Sequence, residues 1–297
     1  MLPEYPEFRS LEIKDLDKVK AHLKRAHQQI CEWAPANLLI WKDFDHPLLT
    51  TINQNLCAYI SPPNEPPYFL EPVGGHKIPE TIAICLKHAG KSSRISEDFI
   101  FRLDLDKYKI TCLRNQFDYT YERKALVELK GRKYDGKRNH IKRFRGRFAG
   151  YQFVALDKSL RESALALFEE WFDRKKESRH FPKLAYTAQR SALERAFQYY
   201  EELGLAGGAL IIEGRLKGFI IGSALNPQTA SVHFQYTDPS LRGISQALLQ
   251  EACERTFAPF KYVNLEQDLG IPGLRKAKLS YYPLRLEKKF ELLPIPA

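Results

Sequence analysis

Gly208-Ala-Leu-Ile-Ile-Glu-Gly-Arg-Leu-Lys-Gly-Phe-Ile-Ile-Gly-Ser-Ala-Leu225 holds two runs rich in β-formers on either side of Glu213-Gly214-Arg215. Two such runs around a glycine turn make a hairpin. Residues 230–236, Ala-Ser-Val-His-Phe-Gln-Tyr, supply a third strand, followed by the polar loop Asp238-Pro-Ser-Leu-Arg-Gly243. Beyond it Ile244, Ala247, Leu248 and Ala252 recur at helical spacing, and Phe260-Lys-Tyr-Val263 returns to strand character. Upstream, residues 159–171 and 189–203 read as helices, the first with Leu160, Ala164, Leu167, Phe168 and Trp171 on one face. The expected class is therefore α/β (α+β), with mixed sheets flanked by helices.

The first half repeats this pattern faintly. Tyr68-Phe-Leu-Glu-Pro-Val-Gly-Gly-His-Lys77 is a strand followed by a glycine turn, and residues 78–88 read as a helix. A degenerate tandem repeat follows, and 297 residues accommodate two domains, expected at 1–150 and 151–297. The linker between them is a basic segment. From Arg123 to Arg147 eleven Lys or Arg face only Glu128 and Asp135, an excess of nine in a chain whose formal net charge is +10. Such clustering is the footprint of a polyanion partner, with tRNA and an anionic lipid surface as the candidates; a solvated basic helix is the alternative. Lys137, Arg138, Lys142 and Arg143 would lie along one side of that helix and contact RNA phosphates without sequence choice.

Several classes drop out on composition. With 44% hydrophobic and 28% charged residues the chain is globular. Its longest mostly apolar stretch, residues 203–212, is about half of what a membrane-spanning helix needs, so no transmembrane segment is expected. The acidic, proline-broken start Met-Leu-Pro-Glu-Tyr-Pro-Glu7 does not read as an export signal. Five scattered cysteines without Cys-x-x-Cys fit reduced thiols in a cytoplasmic protein, and eight histidines without His-x-x-x-His offer no visible metal site.

The order helix, helix, hairpin, strand, loop, helix, strand, with Gly243-Ile-Ser-Gln-Ala-Leu-Leu249 at the loop-to-helix join, resembles the GNAT acyltransferase superfamily. There the corresponding Gly-Ile-Gly-x-Ala-Leu-Leu turn presents backbone N–H groups to a donor's pyrophosphate. A helix's first turn favours an anion in any case. On this resemblance Arg242, Gly243, Ile244 and Ser245 are the donor-binding positions, with Ser245 in place of the superfamily's last glycine or alanine. An ordinary helix start capped by Asp238 or Ser240 is the alternative.

A second resemblance is narrower. Lys133-Tyr-Asp-Gly-Lys-Arg-Asn-His-Ile-Lys-Arg-Phe144 and Asn264-Leu-Glu-Gln-Asp-Leu-Gly-Ile-Pro-Gly-Leu-Arg-Lys-Ala-Lys-Leu-Ser-Tyr281 are similar to the family of the phosphatidylglycerol lysyltransferase C-terminal domain, over roughly residues 20–292. The resemblance implies a tandem GNAT fold related to the Fem-type aminoacyltransferases of peptidoglycan bridges. It implies transfer of an aminoacyl group from aminoacyl-tRNA to a hydroxyl of a lipid or related acceptor. Lipid-modifying members also carry a membrane-embedded region, and this sequence contains no such stretch.

Acyl transfer needs a base for the acceptor, donors for the oxyanion and an acid for the leaving group. Glu266 and Asp268 share a face if the strand at 260–263 continues through them, and could act as the base, hold a cationic aminoacyl group, or pair with cations. Arg275 and Lys278, one turn apart in a helix from Pro272, would point together at a phosphate or carboxylate. Tyr281 is a candidate leaving-group acid, with strand-edge packing as its alternative role. The first reading is thus a soluble acyltransferase with aminoacyl-tRNA as donor, an amine, hydroxyl or lipid as acceptor, and no tightly bound cofactor. The alternatives are an acyl-CoA donor and a non-catalytic polyanion-binding module.

Overall fold

The computed structural model describes residues 2–24, 26, 28–178 and 183–295. Two compact units result. One comprises Met1–Tyr119, Glu266–Ala277 and Arg285–Ala297, the other Thr120–Leu265 and Lys278–Leu284. The division thus falls at 119/120 rather than at the expected 150, and the C-terminal stretch contributes to both units. Residues 120–150 join the second unit because they bond to its body. Arg123 donates through Nε to Phe260 O at 2.7 Å and through Nη1 to Cys253 O at 3.0 Å, and Gln250 Nε2 donates to Val127 O at 2.6 Å. The basic segment is part of a packed domain and not a linker.

The first unit is built on a seven-stranded mixed sheet in the order Arg9–Ser10, Leu48–Ile52, Asn55–Ile60, Tyr68–Phe69, Ser92–Ser96, Lys289–Pro294, Tyr108–Cys112. The sixth strand comes from the end of the chain and is antiparallel to both neighbours, with Leu292 opposite Ser92 and Ile110. Helix Ile78–Ala89, expected from its periodicity, buries Ile78, Ile82 and Leu86 on one face. Their partners in the core include Ile95, Phe99 and the fully buried Leu292. Gly90, at φ +76°, ends the helix and its N–H returns to Leu86 O at 2.8 Å.

In the second unit six strands of a seven-stranded sheet follow the order Asp118–Glu122, Tyr262–Asn264, Thr229–Thr237, Arg215–Asn226, Ala206–Ile212, Gln152–Ala155, the first of these entering from the first unit. The expected hairpin is present. Ile212 pairs with Arg215 across Glu213 and Gly214, whose φ values of +50° and +72° are those of a two-residue type I′ turn. The two helices upstream run Arg161–Ser178 and Lys183–Gln198, longer at one end and shorter at the other than the periodicity predicts.

Both units share a topological core: a strand, a loop, a helix, then a second strand parallel to the first. In the first unit this is Tyr68–Phe69, Ile78–Ala89, Ser92–Ser96; in the second it is Thr229–Thr237, Ile244–Glu254, Tyr262–Asn264. A parallel pair requires such a crossover. Beyond it each sheet is completed by an antiparallel strand from another part of the chain, Lys289–Pro294 in one and Asp118–Glu122 in the other.

Candidate functional site

In the second unit the helix Ile244–Glu254 starts at Gly243, the last residue of the Asp238–Gly243 loop. Gly243 has φ +90°, and a Cβ there would lie 2.4 Å from His140 O and 3.1 Å from Phe144 Cβ. Glycine is required on both counts, because the helix Asp135–Arg147 passes directly over the turn. Neither Asp238 nor Ser240 caps this helix. Asp238 accepts instead from Ser240 N at 3.0 Å, Ser240 Oγ at 2.6 Å and Lys217 Nζ at 3.0 Å, which ties the loop to the neighbouring strand. Burial raises its carboxyl pKa, but the bonds from Ser240 and Lys217 outweigh that and hold it below the ordinary value. Ser245 shares a hydrogen bond of 2.7 Å with Thr237 Oγ1, and Ile244 is buried. Arg242 is exposed.

The overlying helix buries Ile141 and Phe144 and divides its cations into two sets. One set is bound within the unit. Lys137 turns inward, donating to Ser280 Oγ at 2.6 Å with its ammonium 3.9 Å from the centre of the Tyr281 ring, and burial depresses its pKa. Arg138 closes on Asp135 and the carbonyls of Leu129 and Gly131, stapling the start of the helix. Arg145 donates to Glu251 Oε1 at 2.8 Å and to Tyr151 Oη at 3.0 Å. The other set, Lys142, Arg143 and Arg147, is exposed. Spacing alone groups Lys137, Arg138, Lys142 and Arg143; the structure separates the first two from the last two, because a step of about 100° per residue turns Lys137 toward the unit's interior.

The two stretches that carry the family resemblance meet here. Tyr134 Oη donates to Tyr281 O at 3.0 Å, and Lys133 lies 4.9 Å from the centre of the Tyr282 ring. Tyr281 is buried, packs edge-on against Tyr121, and has its phenol pKa raised by burial. Packing is its observed role. Lys278 Nζ donates to Leu265 O at 2.5 Å.

The first unit holds the two carboxylates. The strand expected to carry them stops at Asn264, and Glu266 and Leu269 adopt φ +57° and +51°, so the shared face is not formed. Asp268 is fully buried. Its Oδ2 accepts from Tyr119 Oη at 2.5 Å, Arg275 Nε at 2.8 Å and Arg114 Nη1 at 3.1 Å; its Oδ1 accepts from Arg275 Nη2 and Gly270 N, both at 2.8 Å. Burial would raise its pKa, yet the Arg275 fork first, then Tyr119 and the Gly270 N–H, hold it far below the usual carboxylate range. Five donors fill its acceptor capacity. Arg275 is thus bound to Asp268, while Lys278 donates to Leu265 O. Glu266 is half-buried, with Asn37 Nδ2 3.4 Å from Oε1, while Asn37 Oδ1 is buried without a hydrogen bond among the described residues.

Sequence reasoning missed a second polar cluster of this unit. Lys289, with no solvent exposure, donates to Asp118 Oδ1 at 2.6 Å and pairs with Glu32 Oε2 at 2.6 Å. Cys31 N donates to Asp118 Oδ2 at 2.7 Å, and Gln267 Nε2 to Glu32 Oε1 at 2.9 Å. Burial lowers the pKa of an ammonium, but Asp118 above all raises that of Lys289 in net; burial raises those of Cys31 and Glu32. Cys31, Glu32 and Asp118 have the composition of a metal-ligand set, their ligand atoms within 4.8 Å of one another. The Lys289 ammonium bonds to both carboxylates of that set. No local pattern announces this cluster, since its members lie up to 258 positions apart. Among the described residues no helix is long and apolar enough to cross a membrane.

Residues 23–292 match the protein family described as phosphatidylglycerol lysyltransferase, C-terminal. A conserved protein of unknown function from Bacteroides thetaiotaomicron superposes with a TM-score of 0.90 at 27% identity, over 99% of this chain and 100% of that one. L-PGS from Bacillus licheniformis gives 0.64 at 16% identity, over 99% and 94%. FemX gives 0.56 at 9% identity, over 97% of each. The last two are likenesses of fold. Family and fold support an acyltransferase related to phosphatidylglycerol lysyltransferase.

Proposed function

The chain belongs to the family of the phosphatidylglycerol lysyltransferase C-terminal domain, and on that premise we propose that it transfers an aminoacyl group from aminoacyl-tRNA to an amine or hydroxyl acceptor. The observation that carries this reading is the set of exposed cations on the second unit: Lys142, Arg143 and Arg147 on one helix and Arg242 on the adjoining loop. None of the four has a hydrogen-bond or ion-pair partner among the described residues. Cations that a fold leaves unneutralised bind phosphates and release counterions, which suits an RNA-borne donor.

Within this reading Asp268 is an anchor. A carboxylate saturated by five donors is a poor proton acceptor, and its work is to fix the loop after Asn264 against Arg114 and Arg275. Glu266, held in a left-handed backbone beside the unpaired Asn37 Oδ1, is the better candidate for contact with the amino group of the transferred residue. Lipid and peptide-like acceptors both remain within the proposal.

The Gly243 turn favours a second reading, with acyl-CoA as donor, because the helix after it begins without a side-chain cap. Native mass spectrometry of the protein offered acetyl-CoA and a charged-tRNA mixture together, across a salt series, separates the two. Retention of charged tRNA that weakens steeply with salt is the expected result. Retention of CoA alone would transfer the assignment to an acyl-CoA enzyme, and retention of neither would remove the donor from both.

A further inference from the structure

Ser223 on the strand Arg215–Asn226 and His233 on the strand Thr229–Thr237 meet inside the second unit. Ser223 Oγ lies 2.8 Å from His233 Nε2, and the two residues are only 5% and 8% exposed. A β-bulge creates the meeting. The ladder pairs Ile221 with Phe234 and then Gly222 with Val232, so His233 is the extra residue between them. Bulges re-aim side chains and are over-represented beside active sites. On its other flank the strand Thr229–Thr237 pairs with Tyr262–Asn264 only from Thr229 to Ser231, so the parallel ladder stops two residues before His233. The backbone at the pair is tightly held. A Cβ at Gly222 would lie 2.4 Å from Ser231 O and 3.0 Å from the Phe257 ring, so the residue next to Ser223 has no room to shift. A hydroxyl and an imidazole are thus fixed at hydrogen-bond distance by two rigid strands, where the paired part of the sheet ends.

We propose that Ser223 is an acyl-accepting nucleophile with His233 as its base, so that transfer runs through an ester on Ser223. A serine hydroxyl is a weak nucleophile until a base within hydrogen-bond reach takes its proton, and the observed 2.8 Å falls inside that reach. The pair acts in the tautomer that carries its proton on Nδ1, in which Nε2 is the acceptor. In the first step Oγ attacks the carbonyl carbon of an activated acyl ester while Nε2 takes the hydroxyl proton. The bond from that carbon to the leaving oxygen breaks, and the oxygen departs with the proton from Nε2. In the second step an amine or hydroxyl acceptor attacks the Ser223 ester and gives its proton to Nε2, and Oγ leaves as the hydroxyl with that proton. Nothing is oxidised or reduced. The substrate class is an activated acyl ester. Its identification as aminoacyl-tRNA rests on the function proposed above, whereas the nucleophile and base do not; the pair shares no residue with the exposed cations or with the Gly243 turn.

The experiment treats the full chain with phenylmethanesulfonyl fluoride and, separately, with p-nitrophenyl acetate, and locates the modified residue by peptide mass spectrometry. Sulfonylation of Ser223 is expected in the natural chain, together with acetylation of the same residue and a burst of nitrophenol. In His233→Gln the amide can keep a hydrogen bond to Ser223 but cannot take its proton, so the labelling rate should fall by about 100-fold or more. A pair that serves packing alone would not give this difference. Circular dichroism and a melting curve establish that the variant folds, and labelling of the natural chain decides the matter if it does not. No modification of Ser223 at millimolar reagent, or modification spread evenly over the other serines, would overturn the proposal. Equal labelling of the natural chain and a folded His233→Gln would do the same. The two readings fail separately. A Ser223 adduct in a chain that moves no aminoacyl group from tRNA keeps the nucleophile and removes the proposed function. Aminoacyl transfer undiminished in Ser223→Ala keeps the proposed function and overturns the covalent step.

Discussion

Replacing Lys289 by Met would leave Asp118 and Glu32 facing each other in the interior without their cation. Breaking a buried ion pair from one side costs about 3–5 kcal/mol, so Lys289→Met should lower the urea midpoint steeply; a loss below about 1 kcal/mol would contradict the pairing. The same unit carries a proton-linked group. Burial first of all pushes the Glu71 carboxyl up to about 7, against bonds such as that from Ser96 N at 2.6 Å. Its folded value thus exceeds the unfolded value of about 4.3, and the native state binds more protons in between. Its contribution is complete below the unfolded pKa and is lost as pH rises through about 7. Denaturation of the natural chain and Glu71→Gln at pH 5 and pH 8 should show a loss in the natural chain that the variant lacks, on the order of 3 kcal/mol at most. Parallel curves would refute it. Neither group was legible in the sequence. Glu71 sits in an unremarked Leu-Glu-Pro, and Lys289 in a Lys-Lys-Phe that reads as surface; both owe their state to chain segments brought in from far away.

At the scale of elements, Gly243 is where local reading and tertiary packing agree. The glycine before Ile-Ser-Gln-Ala-Leu-Leu249 marks the helix start by itself, while the reason that only glycine fits is the His140 carbonyl of another helix. Gly243→Ala combines a positive φ with a 2.4 Å clash. It should cost about 2–4 kcal/mol and shift the melting temperature accordingly. A melting curve unchanged from the natural chain would show that the basic helix does not sit over the turn. The hairpin, the strand after it and the helix Ile78–Ala89 were legible because each is fixed by alternation, periodicity or a turn residue within a few positions. The loop after Asn264 was not. Glu266 and Asp268 look like successive strand residues until the left-handed backbone at Glu266 breaks the alternation, and that conformation is set by the contacts around Asp268. Charge spacing on the basic helix had the same limit. It located the helix and its cations, but only the packing of Ile141 and Phe144 decides which of them face out.

For the whole molecule, the interleaving of the chain is the property that a linear division misses. The strand Lys289–Pro294 lies inside the first sheet, and Asp118–Glu122 completes the second. Fragments 1–150 and 151–297 expressed separately should each lack a structural strand and fail to give cooperative unfolding, whereas co-expression should restore it. Independent two-state unfolding of either fragment would contradict this topology. The tandem architecture itself was legible from the repeated strand, glycine turn and helix, because a crossover between parallel strands imposes the same order twice. The central functional claim is tested most directly by following a labelled aminoacyl group. The protein is incubated with tRNA charged with isotopically labelled amino acids, a mixture of lipids and soluble amines, and acetyl-CoA in the same vessel. Movement of the label from tRNA into a lipid or amine product, at a rate that falls steeply with added salt, is the result expected. Label that stays on the tRNA at every salt concentration while acetyl-CoA is consumed would contradict it.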